Sequence, residues 1–203
     1  MRRYYPAFLD LEGRPCLVVG GGKVAERKAL ALLKAGARVK VVAPAVTARL
    51  AREKAAGRIT HEGRRFRAAD ARGAFLVIAA TDSREENEKV SASATGLVNV
   101  VDTPELCNFI VPSSVVRGPL TIAVSTSGTS PAMARAIRKE LEALYPPALG
   151  AYLRKAARLR ARAAREIADP RRRMRYLKSL ASARALRDLR AGRHVEPPRP
   201  GDE

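Results

Sequence analysis

Residues 17–33 read LVVGGGKVAERKALALL. An apolar run stops at three consecutive glycines, Gly20 to Gly22, and the chain then takes up helix formers with Val24, Leu30, Leu32 and Leu33 recurring through 23–35. Residues 15–19 therefore read as a buried strand, and Gly36 stands past the helix end, where a positive φ is required. Within the turn, Gly20-x-Gly22-x-x-Ala25 matches the dinucleotide fingerprint GxGxxG/A. In that motif the first glycine permits the tight turn, the second lets the backbone approach a diphosphate, and a small third residue allows close packing of helix on strand. A diphosphate at this turn would meet the free N–H groups and positive dipole end of the helix.

Working outward, RVKVV (38–42) reads as a second strand broken by Pro44, with a helix over 45–56 ended by Gly57, and Ile59 opens a short third strand. AFLVIAA (74–80) is continuously apolar, as a strand buried on both faces must be. A helix over 83–95 starts with Ser83 as N-cap and Glu86 completing a capping box, and LVNVV (97–101) is the next buried strand. Strands alternating with helices at this spacing predict an α/β, Rossmann-like parallel sheet covered by helices on both faces. Beyond it lie a strand over 120–124 and an amphipathic helix over 131–144, with Ser130 as N-cap and Pro131 at the first helical position. Pro146-Pro147 reads as a linker, and two basic helices over 149–167 and 171–189 are split by Asp169-Pro170. From Gly192 the composition predicts a disordered tail. The expected organisation is a nucleotide-binding domain over 1–112, a small α+β segment over 113–146, a basic helical domain over 147–191 and a tail over 192–203.

Bulk properties narrow the function. The 203 residues carry 39 Lys and Arg against 20 Asp and Glu, a formal charge of +19, and 151–190 hold 14 of those cations against Glu166, Asp169 and Asp188. Such a potential attracts polyanions: nucleic acid, an anionic membrane or a polycarboxylate. The two cysteines, Cys16 and Cys107, lack CxxC spacing and fit a reducing compartment. The opening MRRYYPAFLDLEG, with Pro6, Asp10 and Glu12, is expected to be neither signal peptide nor anchor, which places the protein in the cytoplasm. His61 and His194 are isolated, with no His/Cys cluster for a resident metal, and both read as surface residues.

Ligands of open α/β sheets sit outside the carboxyl ends of the strands. Two acids leave neighbouring strand ends there: Asp102 after LVNVV and Asp82 after AFLVIAA. The acid that would grip the adenosine ribose is missing, because VVAPAV places Ala43 and Pro44 at the end of the second strand and Arg49 stands a turn further on. These residues leave NAD and NADP both open. A loop STSGTS (125–130) leads into the helix at Pro131, and such a helix start is an anion site or a plain cap.

The segments YYPAFLDLEGRPCLVVGGGKVAERKALALLKAGARVKVVAP, AATDSREEN, NVVDTPELCNFIVPS and AVSTSGTSPAMARAIRKELE, in that order, resemble the precorrin-2 dehydrogenase family, which includes the N-terminal module of bacterial sirohaem synthase. The likeness runs to about Leu189. The methyltransferase module of the larger synthases is expected to be absent from 203 residues. What the resemblance implies is NAD-dependent oxidation of precorrin-2 to sirohydrochlorin, with ferrous iron insertion in some members, by an intertwined homodimer. It maps the catalytic aspartate onto Asp102, expected to be partly buried and to act as general base. It maps the NAD contacts onto Gly20, Gly22, Lys23, Val24, Pro44, Ala45, Thr81 and Asp82, and favours NAD over NADP. The substrate contacts it implies are Asn108, Ser127, Gly128, Thr129 and Ser130, and a serine phosphorylated in some sirohaem synthases falls on Thr126. Precorrin-2, with its eight carboxylates, suits a basic protein.

Two rival readings are weaker. An NAD-sensing regulator whose basic tail binds nucleic acid would explain fingerprint and charge, but Tyr152 and Tyr176 are the only aromatics in that tail and no DNA-binding motif is present. A short-chain alcohol dehydrogenase is disfavoured because no tyrosine is followed by lysine four residues later.

Overall fold

The computed structural model describes residues 3–200, which divide after Val111 into two compact units. In the first unit, β1 (Pro15–Val19), β2 (Arg38–Val42), β3 (Ile59–Glu62), β4 (Leu76–Ala79) and β5 (Leu97–Val100) form one sheet in the order β3-β2-β1-β4-β5, every pair parallel. Helices α1 (Lys23–Lys34), α2 (Ala48–Ala55) and α3 (Arg84–Ser93) connect strands in the same unit. Cys16, Val18, Val39, Val41 and Ile78 pack with Ala25, Ala29 and Leu32 of α1, while Leu17, Val19, Val77, Ala79 and Val100 pack with Val90 of α3. Alternate residues of β1 thus enter opposite cores, which is why the strand reads as an unbroken apolar run rather than an alternating one. Ala25, fully buried, keeps α1 close to the sheet as the fingerprint predicts.

Two buried carboxylates brace this unit. Glu53 of α2 is paired with Arg49 at 2.9 Å and with Arg58. Asp70, in the connection before β4, accepts two bonds from the Arg64 guanidinium at 2.7 and 2.8 Å, one from Lys40 of β2 at 2.9 Å and one from the Arg67 amide at 3.0 Å. The Arg64 guanidinium, then Lys40 and the amide, hold the Asp70 carboxyl far below the usual carboxylate range against the opposing effect of burial.

In the second unit, β6 (Ser113–Arg117) and β7 (Leu120–Val124) form an antiparallel hairpin followed by α4 (Pro131–Leu144), α5 (Pro147–Glu166), α6 (Pro170–Ser179) and α7 (Ala183–Arg190). Arg117 reaches from β6 to the end of α4, donating to the carbonyls of Glu142 at 3.1 Å and Tyr145 at 2.8 Å. It neutralises the negative end of that helix. A Cβ on Gly150 would lie 2.8 Å from the Arg117 carbonyl, so α5 can approach the hairpin turn only because this residue has no side chain.

Several expectations are revised. Strand β6 is not predicted from the sequence; Gly118, at φ 60°, with Pro119 closes the hairpin in the manner of a type II′ turn. Helix α2 starts at Ala48 rather than at 45, because the Thr47 side chain caps it by accepting from the Leu50 amide at 3.3 Å. The expected helix over 171–189 is two helices, since Ser182 accepts from the Ala185 amide and starts α7 afresh. Ser83 does cap α3, but Glu86 accepts from the Phe66 amide at 3.1 Å instead of closing a capping box. His61 is half-buried on β3, where Nε2 donates to the Ala43 carbonyl at 2.9 Å, and is not a free surface residue. The tail expected to be disordered is packed coil over 193–200: Val195 joins the Leu149–Leu189 core, Pro197 is buried, and the Tyr176 hydroxyl donates to the Pro198 carbonyl at 3.0 Å. Positions 201–203 of that expectation lie outside the described residues.

Because its folded pKa is depressed, Asp70 contributes stability above its unfolded pKa of about 4 and loses it as the pH falls below that value. Asp70→Asn should lower unfolding free energy at pH 7 by about 2 kcal/mol. In urea titrations at several pH values, that deficit should shrink as the pH falls below about 4.

Candidate active site

The register of the sheet assembles the site. Val19 of β1 is level with Val42 of β2 and with Ala79 of β4, and Ala79 is level with Val100 of β5. The residues that follow these four strand ends therefore leave one edge of the sheet together: the glycine turn after β1, Pro44 and Ala45 after β2, Thr81 and Asp82 after β4, and Asp102 after β5. The order β2-β1-β4 reverses direction between β1 and β4, and the crevice at that switch point is where such sheets receive ligands.

Each of the three glycines answers a different constraint. Gly20 sits at φ 120°, and a Cβ there would lie 2.2 Å from the Ala80 carbonyl oxygen. At Gly21 a Cβ would lie 1.8 Å from the Ala45 carbonyl oxygen. At Gly22 a Cβ would meet nothing within 4 Å. The first two glycines press the turn against the chains leaving β4 and β2, and the third opens onto free space. Gly22 is also the N-cap of α1 and supplies no side-chain bond to the first helical amides, the first intrahelical bond being Glu26 N–H to Gly22 O at 2.9 Å. Amides aimed into an open, side-chain-free space at a positive helix end fit a dinucleotide diphosphate. Lys23 and Val24 stand exposed beside it.

The flanking loops are fixed from within. Thr47 donates its amide to Gly21 O at 3.1 Å and its hydroxyl to Glu26, tying the loop that carries Pro44 and Ala45 to the first turn of α1. That hydroxyl, with Lys23 nearby, holds the Glu26 carboxyl below its ordinary range. Asn87 of α3, buried, accepts from the Thr81 hydroxyl at 2.8 Å and donates to the Thr81 carbonyl at 3.0 Å, while Ser83 N–H donates to Thr81 Oγ1 at 3.2 Å. Thr81 is thereby held half-buried and Asp82 left exposed.

Asp102 projects from the end of β5 with φ 57°. It is solvent-exposed, not partly buried as expected. Lys28, half-buried on α1, is in electrostatic contact with Asp102 and Cys107; burial, and Arg27 beside it, push its ammonium down, and the two acidic groups oppose this.

Asn108 does not join this edge. Its Oδ1 accepts from the Val98 amide at 2.8 Å and its Nδ2 donates to the Gly96 carbonyl at 2.9 Å, at the end of β5 remote from Asp102. In the second unit, the loop of Ser127, Gly128, Thr129 and Ser130 is a local construction: Ser127 sits at φ 53° and Gly128 at φ 87°, Thr126 Oγ1 accepts from the Ser130 amide at 3.1 Å, and Ser130 caps α4 by accepting from Met133 N–H at 3.2 Å. Gly21, Thr47, Asn87 and Lys28 join the site without a part in the fingerprint; the run of three glycines points to Gly21, and nothing in the sequence marks the other three.

Gly22→Ala should leave the melting temperature nearly unchanged and weaken NAD binding about tenfold by calorimetric titration. Gly21→Ala should destabilise the protein by about 3 kcal/mol because a backbone carbonyl must move.

Among the described residues no three His, Cys, Asp or Glu side chains gather as a metal site, and no helix is long and apolar enough to cross a membrane. A family model described as "Putative NAD(P)-binding" matches residues 7–113, and one described as "Sirohaem biosynthesis protein central" matches 117–144. The chain is 51% identical over 158 residues to a sirohaem synthase of Methylobacillus flagellatus, covering 76% of this chain and 34% of that protein. It is 42% identical over 197 residues to a sirohaem synthase of Nitrosococcus oceani, covering 96% of this chain and 42% of that protein. The chain thus spans less than half the length of these relatives. The solved structure of SirC, a precorrin-2 dehydrogenase, superposes with a TM-score of 0.80 at 28% identity, over 93% of this chain and 98% of that one. With the glycine turn and the strand-end site in agreement, the chain belongs to the NAD(P)-binding family of sirohaem biosynthesis that the sirohaem synthases and precorrin-2 dehydrogenase represent.

Proposed function

We propose that this chain oxidises precorrin-2 to sirohydrochlorin with NAD as acceptor. The observation that carries the reading is the sheet register, which sends the glycine turn, the Thr81–Asp82 loop and Asp102 out of one edge. NAD, when bound, supplies the hydride acceptor. The protein's part is to hold the diphosphate on the amides at the start of α1 and to offer a base. Oxidation removes a hydride and a proton from the macrocycle, giving NADH and H⁺. The exposed Asp102 carboxylate, with the Lys28 ammonium in electrostatic contact, is the group that takes that proton.

The charge of +19 supports a polycarboxylate substrate, attracted and concentrated by the basic surface. A homodimer is part of the proposal. In support, Val116 of the hairpin and Met133 of α4 are exposed at 43% and 55%. Cys16 and Cys107, both buried and not joined in a disulfide, support a reducing, cytoplasmic setting.

The test is anaerobic: purified protein with enzymatically generated precorrin-2 and NAD, followed by absorbance of sirohydrochlorin and NADH. Turnover should depend on NAD and exceed a protein-free control, and Asp102→Asn should lower kcat about a hundredfold while NAD binding is kept. Absence of turnover with NAD bound would contradict the proposal, and an unchanged rate in Asp102→Asn would remove that residue from the chemistry.

A further inference from the structure

We propose that Cys107 is the positioning residue of Asp102, acting through the turn that carries the carboxylate; this rests on the role assigned to Asp102 above. A residue with a Cβ enters the left-handed region only where its surroundings hold it there, aspartate more readily than most. Asp102, at φ 57°, is such a residue. It occupies the third place of the turn Val100–Val101–Asp102–Thr103, closed by Thr103 N–H to Val100 O at a long 3.3 Å.

One sulfur holds both ends of that turn. Cys107 Sγ accepts from the Val100 amide at 3.1 Å and lies 3.2 Å from the Val100 carbonyl and 3.3 Å from the Thr103 carbonyl, the acceptors open to its S–H. The cysteine is buried among Val98, Val100 and Leu106. The chain that delivers it is itself anchored along the free edge of β5: Asn108 takes the Val98 amide and gives its own N–H to the Val98 carbonyl at 3.1 Å, and Asn99 Nδ2 donates to the Phe109 carbonyl at 3.1 Å. Residues 107–109 thus form a rigid rail beside β5, with the thiol at the end next to Asp102. The thiol is a hub that bonds both residues flanking Val101 and Asp102, and a side chain of similar size without donor or acceptor would fill the space and release the turn. No redox or covalent step is involved.

The test compares Cys107→Val, which keeps bulk, with Cys107→Ser, which keeps donor and acceptor, in the full chain. Amide hydrogen exchange of Val100 and Thr103 should quicken about tenfold in Cys107→Val, with amides of β1 and β4 unaffected. The kcat for precorrin-2 oxidation should fall about tenfold with NAD affinity and substrate KM retained, and Cys107→Ser should restore most of it. In the Asp102→Asn background the valine substitution should cause no further loss, because a group acting through Asp102 has nothing left to position. Unchanged exchange, unchanged kcat, or a loss that adds fully to that of Asp102→Asn would each overturn the assignment. If the parent protein shows no turnover, the proposed reaction fails on its own, and the exchange measurement alone then decides whether Cys107 holds the turn.

Discussion

The structure hinges on the contact between the glycine turn and two backbone carbonyls. Gly20 lies against Ala80 O and Gly21 against Ala45 O so closely that no side chain fits at either position. This draws the chains leaving β1, β2 and β4 together at one sheet edge. It also leaves Gly22 facing outward, so that the start of α1 opens onto the crevice rather than onto protein. Tight packing on one side of the turn and open space on the other are two halves of one arrangement. The packed half brings three strand ends together at the switch point, and the open half fits a dinucleotide diphosphate.

Around that turn the loops are held by polar side chains bonded within the protein. Thr47 ties the loop after β2 to Gly21 and Glu26, Asn87 holds Thr81, and Cys107 sits under the turn of Asp102. Each is anchored to a regular element, α2, α3 or the rail beside β5. Site loops braced from rigid elements hold their geometry without substrate, which is what orientation-dependent chemistry needs.

The first unit was largely legible in the sequence because its signals are local. Continuous apolar runs such as AFLVIAA and LVNVV mark strands buried on both faces, and Gly20, Gly22 and Ala25 fall at fixed offsets between strand and helix. What was missed depends on contacts between distant residues. Strand β6 has the weak alternation of a half-exposed hairpin, and its pairing becomes visible only with the Gly118-Pro119 turn. Asn108 resembles a ligand residue in the motif, yet its amide bonds to the β5 edge, a role set by a return of the chain that no local pattern announces. The capping box failed likewise because Phe66, twenty residues upstream, competes for Glu86. The segment from Gly192 reads as disordered by composition, but Val195 packs on the helices before it and Pro197 is buried.

On the proposed function the dinucleotide lies across the switch point, with its diphosphate on the first amides of α1 and its reactive ring beside Asp102. The most direct measurement is a crystal structure of the protein with NAD bound. Diphosphate oxygens should lie within hydrogen-bond distance of the amides of Lys23 to Ala25, and the nicotinamide over the ends of β4 and β5 next to Asp102. A diphosphate bound away from the glycine turn, or a nicotinamide remote from Asp102, would contradict it.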